Sequence, residues 1–378
     1  MKKYVEDNSI QGRRAEIEAK VEKLHRVMQA EGLDVIYISK SEHFAWITAG
    51  GDNIVTRYCE GGVCAIAITL TGKYFICNNI ETKRMLVEEK LGELGFEGRT
   101  CFWFENKTPE FLHELVGGGR LAADVPMPNA VDADQLLLEL EKTLCDNEIA
   151  RYLKMGEVFS GVIENVIADV HPGETEIEIA GKLGAAMWKA GLEPVLLLVA
   201  ADERIYNYRH AIPTGKTLEK FLMISCNARY KGLITKITRM AFFGELPAAL
   251  QEQYAKTAHI ENVLADATRP GVDDLKMLEL AKQLYAEAGY PEMWKEHHQG
   301  GPQSYTNGFY LISEHAHGVI REGMVYGYNP SITGTKTEDA FIVTADGPIL
   351  VTYPVIFPAI EEEINGVKYR RPGILEVK

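Results

Sequence analysis

The sequence predicts an α/β layer domain followed by an α+β unit with internal pseudo-twofold symmetry. Three observations carry this reading. At 378 residues the chain is too long for one ordinary core, so two domains are expected. Over residues 1–145, apolar runs of strand length alternate with helical stretches, the pattern of a layered α/β domain. Over residues 146–378 a segment recurs: VIADVHPGETEIEIAGKLGAAMWKAGLEP (166–194) is similar to VLADATRPGVDDLKMLELAKQLYAEAGYPE (263–292).

In the first part, residues 10–31 form a charged amphipathic helix closed by Gly32. DVIYIS (34–39) and VCAIAITL (63–70) read as buried strands. Helices are expected over 81–94, 111–116 and 131–145, with the domain boundary near Asp146 and a long helix beginning just after it.

In the second part each copy of the repeat ends one helix at Pro-Gly, opens another, and stops it at Gly191 or Gly289. Thr175 and Glu178 make a capping box in the first copy. A strand pair follows each copy, over 221–244 and 323–347. Two such halves can pack about a pseudo-twofold axis, and a site between them draws residues from both strand pairs.

Composition narrows the partners. The chain is 46% hydrophobic and 25% charged, as in globular proteins, and its formal net charge is -14. An acidic surface argues against nucleic acid or an anionic membrane as partner. MKKYVEDNS has no apolar segment after its lysines, so no secretory signal is expected, and no apolar run is long enough to span a bilayer. The six cysteines show no CxxC spacing, which fits free thiols in a reducing cytoplasm. Cys226 reads as a buried strand residue rather than a nucleophile.

Three stretches, RHAIPTGKTLEKFLMISCNARYKGLITKITRM, HHQGGPQSY and REGMVYGYNPSITGTKTEDAFIVTADG, resemble the creatinase, prolidase, aminopeptidase P and methionine aminopeptidase family. The resemblance covers almost the whole chain. It implies a creatinase-like N-terminal domain, a pita-bread α+β domain, and a homodimer in which one subunit's N-terminal domain helps close its neighbour's site. Peptidases of this family hold two metals with two Asp, one His and two Glu. Aligned to that pattern, the positions here are Ser225, Lys236, His298, Asn329 and Glu338.

Two divalent ions held close together need bridging carboxylates to offset their charge. The family set supplies four; here only Glu338 remains, and a lysine has donors but no acceptor with which to ligate while protonated. No shift of alignment restores the set, because 221–244 and 324–337 contain no Asp or Glu. The expectation is a site without metal or other cofactor.

Creatinase, within the same family, hydrolyses a C–N bond without metal, so the resemblance leaves chemistry open. His210, in RHAIP, matches the family's substrate histidine and is the expected proton shuttle. Lys236 and Asn329 are candidate polarising donors, with Glu338 orienting or neutralising Lys236 as an ion pair. Ser225 activated by Lys236 is an alternative nucleophile. His298, Asn329, Tyr305 and Tyr208 are candidate substrate contacts. His297 and His298, if on a strand, face opposite sides, so one is expected at the cavity. His315 and His317 read as surface residues, and HQGGPQ as a close backbone approach rather than a phosphate loop. The expected function is metal-independent hydrolysis of a C–N bond in a small-molecule or short-peptide substrate. A catalytically inactive member that binds a ligand or partner, and a metallopeptidase with atypical ligands, are the alternatives.

Overall fold

The computed structural model describes residues 3–57 and 59–378. The chain divides into two compact units, the first running to Asn147 with Lys231–Leu233, the second comprising Glu148–Tyr230 and Ile234–Lys378.

The first unit contains α1 (Ile10–Glu31), β1 (Val35–Lys40), α2 (Ser41–Ile47), β2 (Gly61–Thr69), β3 (Lys73–Asn78), α3 (Asn79–Val87), β4 (Glu97–Cys101), α4 (Thr108–Val116), β5 (Leu121–Ala123), β6 (Ala130–Asp132) and α5 (Asp134–Glu141). Ser9 caps α1 by accepting from the Gly12 N–H, and Gly32 ends it with φ 65°, a conformation that costs glycine little. Six strands form one sheet in the order β4-β3-β2-β1-β5-β6. Two of the expected helices are shorter than the sequence suggests. The first ends at Val87 and gives way to a turn, and residues 130–132 are strand before α5 begins. Short β4, β5 and β6 lack the apolar runs that marked β1 and β2.

The second unit repeats one scheme twice. The first half has α6 (Asp146–Ala168), α7 (Glu176–Lys189), β7 (Glu193–Ala201), the short α8 (Glu203–Asn207), β8 (Phe221–Tyr230) and β9 (Leu233–Phe243). The second has α9 (Ala248–Ala267), α10 (Leu275–Glu287), β10 (Gly300–Gln303), β11 (Val325–Tyr328), the two-residue strands β12 (Ser331–Ile332) and β13 (Thr335–Lys336), β14 (Asp339–Ile342) and β15 (Ile349–Leu350). A tail of β16 (Ala359–Ile364), β17 (Val367–Pro372) and β18 (Leu375–Val377) follows. The capping box at Thr175 and Glu178 is formed.

Each half is therefore a helix pair followed by more than the expected two strands: three in the first half, and in the second the four of its sheet together with the short β12 and β13. The strand EPVLLLVAA was not separated from the end of the repeat by sequence reasoning. The two sheets run β18-β9-β8-β7 and β10-β11-β14-β15, and an antiparallel bridge between Thr238 and Glu338 connects them, with the Thr238 N–H donating to the Glu338 carbonyl at 3.0 Å. A core of α9, α10 and strand side chains, including Leu264, Leu284, Tyr326 and Phe341, backs the second sheet.

Candidate active site

Strand alternation places the site. On β8 and β9, Ser225, Asn227 and Lys236 line a cavity of about 320 Å³. From the second half come His298, Asn307, Asn329, Lys336 and Glu338; His210 stands at the mouth, and Leu196, Leu198, Ile212 and Leu311 form an apolar wall. Arg239 and Asp339, one residue out of phase with Thr238 and Glu338, belong to a buried ion network. Arg239 bonds Glu164 at 3.0 Å and Asp339 at 3.1 Å, and Arg371 lies 3.6 Å from both Asp339 and Glu261. Cys226, also out of phase with its neighbours, is fully buried, and burial pushes its thiol well up, as expected of an inert strand cysteine.

The expected Lys236–Glu338 ion pair is not formed. Glu338 is taken by Lys336, whose Nζ lies 2.9 Å from Oε2, and by the Thr238 hydroxyl, which donates to the same oxygen at 2.9 Å. Lys236 has no ion pair within 4.0 Å and no side-chain hydrogen bond among the described residues, although it is only 9% exposed. The reason is geometric. Lys336 lies two residues from Glu338 on one extended segment, so both side chains project to the same side. Lys236 approaches from the other half.

This network also displaces Ser225 from the role of nucleophile activated by Lys236. Lys336 Nζ donates to Ser225 Oγ at 2.9 Å. The single hydroxyl hydrogen of Thr238 is spent on Glu338, so the 2.5 Å contact between Ser225 and Thr238 is donated by Ser225. Its proton points at Thr238 and one lone pair at an ammonium, an arrangement that holds a serine rather than activating it.

Burial raises the Glu338 carboxyl, but the Lys336 and Lys236 charges and the two hydrogen bonds outweigh it and hold the group at about 2. Burial lowers Lys236, with partial compensation from Glu338 and a further push down from Lys336. His297 is lowered to about 3 and His298 to about 4, both chiefly by burial, with the nearby ammoniums reinforcing it. His210 is lowered by burial and then by Lys336. At neutral pH the imidazoles of His297 and His298 are neutral.

His297 and His298 lie in the bend before β10, not on a strand, and both rings join His210. The His297 and His298 centroids are 4.4 Å apart, and Nε2 of His297 is 3.2 Å from Nε2 of His210. The opposite-faces expectation fails because the bend frees the pair from strand alternation. Among the described residues the three imidazoles offer one nitrogen each within 4.8 Å of one another. His298 Nδ1 accepts from the Gly300 N–H at 3.2 Å.

Two expected substrate contacts sit elsewhere. Tyr305 is buried and donates to Glu148 at 2.6 Å, a core role. Tyr208 is half exposed, with Arg204 4.9 Å over its ring, outside this cavity. Near His315, His317 meets Asp273 at 2.9 Å in an exposed contact. Sequence reasoning missed Lys336, Asn227 and the part played by His297. The period of two along a strand, applied outward from Glu338 and Ser225, marks the first two.

A model of metallopeptidase family M24 matches residues 150–345, just over half of the chain. The chain belongs to this family. It is 24% identical over 350 residues to an Xaa-Pro dipeptidase of Pyrococcus horikoshii, covering 87% of this chain and 95% of that protein. The Xaa-Pro dipeptidase from Bacillus anthracis superposes with a TM-score of 0.75 at 19% identity, over 96% of this chain and 100% of that one. The N-terminal domain of FACT complex subunit SPT16 from chickpea superposes with a TM-score of 0.68 at 12% identity, over 92% and 97%. These similarities show the shared pita-bread fold.

Membership of M24 implies a metal centre, and the donor set does not fit the dinuclear one. Five positions supply one carboxylate, and that carboxylate is already neutralised by Lys336, with Lys236 adding a second positive charge beside it. The three imidazoles are a separate donor group, suited by chemistry to a single borderline ion rather than to a carboxylate-bridged pair.

Proposed function

We propose that this M24 protein hydrolyses a C–N bond in a small amide, amidine or peptide-like molecule without a dinuclear metal centre. One observation carries the reading: Lys236 stands buried and without an ion pair within 4.0 Å where, by the family resemblance, a metal-ligating carboxylate is expected. Its ammonium is available in advance to the oxygen of an attacked carbonyl as that oxygen develops negative charge, the arrangement that contributes most to electrostatic stabilisation. Asn329 lines the same cavity as a second polar contact. His210 receives the proton of the attacking water. When its Nε2–H donates to His297, its Nδ1 is the basic nitrogen, and the proton then passes to the departing nitrogen.

A second reading is favoured by the His210, His297 and His298 group: one ion held by three nitrogens would make an atypical metallohydrolase. A screen of small amides, amidines, ureido compounds and Xaa-Pro dipeptides, run with chelator and then with added Zn, Mn or Co, separates the two. Turnover that persists with chelator and disappears in His210→Ala supports metal-free hydrolysis. Turnover that appears only with added ion and disappears in His297→Ala supports the second reading. Binding with no turnover under either condition assigns the cavity to a binding module.

A further inference from the structure

The cavity holds two lysine side chains and one carboxylate. Glu338 stays ionised and is bonded to Lys336, so the charge left over is that of Lys236. Other buried cations of this chain are treated differently. Arg239 has Glu164 and Asp339, Arg371 has Asp339 and Glu261, and Lys20 has Glu16 at 2.6 Å. A buried charge without a direct ion pair is costly, and unlike these three cations Lys236 faces the open space of the cavity.

We propose that Lys236 is the anion-binding residue of the cavity and that the natural ligand presents one carboxylate against its ammonium, the carboxylate that hydrolysis makes from the attacked carbonyl. The proposal rests on the metal-free reading of the site, since a metal pair there would displace the ammonium. Three features define the rest of the ligand. Leu196, Leu198, Ile212 and Leu311 call for an apolar body beside the charge. The Asn329 side-chain oxygen is buried without a hydrogen-bond partner in the protein, and a ligand N–H meets it. The volume, about 320 Å³, sets the size at the small end of ligand pockets. A free amino terminus is repelled from Lys236 and Lys336.

The test uses three probes of matched apolar body: isovalerate, isovaleramide and isopentylamine, titrated calorimetrically into the full chain at pH 7 with chelator present. Isovalerate is expected to bind at least about tenfold more tightly than isovaleramide, the effect of roughly one charge-assisted hydrogen bond, and isopentylamine is expected not to bind. Lys236→Met removes a buried charge while conserving much of the volume, so it should fold, which its thermal midpoint checks. It should bind acid and amide equally, and Lys236→Arg should retain the preference for the acid. Equal affinity for acid and amide in the wild type, an acid preference that survives in Lys236→Met, or binding of none of the three would each overturn the proposal. Acid binding without turnover of any amide removes the hydrolase reading and leaves the anion site standing. Turnover with no preference for the acid does the reverse.

Discussion

Lys336 Nζ sits 2.9 Å from Glu338 Oε2, and that single pairing decides the electrostatics of the cavity. It engages the one carboxylate of the cavity and leaves Lys236, on the opposite half of the pseudo-twofold unit, without an ion pair. It also ties Ser225 and Thr238 into one hydrogen-bonded chain ending on Glu338.

Removing the carboxylate charge should therefore be severe. Glu338→Gln leaves two buried ammoniums without a counter-ion, and unfolding in denaturant should show a loss of about 3–5 kcal/mol. Lys336→Met in the same background should recover part of the loss, because it removes one of the stranded charges. Additive effects of the two substitutions would contradict direct coupling.

Stability should fall in two stages on acidification. His297 and His298 have folded values of about 3 and about 4, below the ordinary 6.5, so the unfolded chain takes up protons first. Their contribution is complete above 6.5 and is lost as pH falls toward those folded values. Glu338, at about 2 against an ordinary 4.5, contributes fully above 4.5 and is lost as pH falls through about 2. Thermal midpoints measured from pH 7 to pH 3 should decline throughout. The double variant His297→Asn, His298→Asn should flatten the decline between pH 6.5 and 4.5 while leaving the more acidic part.

Sequence reasoning reached the site by two routes of unequal reach. The repeat and its Pro-Gly and Gly punctuation are local chain chemistry, so the twofold scheme and the capping box could be read directly. The missing carboxylates could be read as well, because a count over 221–244 and 324–337 does not depend on register. The period of two puts Lys336 on the same side as Glu338, but that Glu338 bonds it and not Lys236 depends on how the two halves of the unit pack, which no local pattern carries. Tyr305 illustrates the same limit. Its partner Glu148 lies 157 positions away in sequence, and no local pattern distinguishes a tyrosine that lines a cavity from one that donates into the core.

Ser225 and His210 should separate cleanly in any substrate that turns over. The Ser225 proton is directed at Thr238, so Ser225→Ala should lower kcat by less than about tenfold, whereas loss of a general base costs about 10²–10⁴-fold. Steady-state rates with chelator present, together with mass spectrometry of the quenched enzyme, check this. A covalent adduct on Ser225, or a larger rate loss in Ser225→Ala than in His210→Ala, would restore the serine as nucleophile.

The ligand set itself can be rebuilt. The wild-type protein should carry no stoichiometric ion on Ser225, Lys236, His298, Asn329 and Glu338, because one neutralised carboxylate and a lysine cannot balance two dications. Ser225→Asp, Lys236→Asp and Asn329→Glu together return the missing carboxylates, but Lys336 would still hold Glu338 and lower the net negative charge by one. Adding Lys336→Met releases Glu338 as a ligand. Elemental analysis after dialysis against Mn or Co should therefore find about two ions per chain only in the fourfold variant, with fewer in the threefold one. A wild-type chain that already holds two ions would show that the ammonium of Lys236 is displaced or deprotonated in solution. An equal metal content in the threefold and fourfold variants would show that Lys336 does not compete for Glu338.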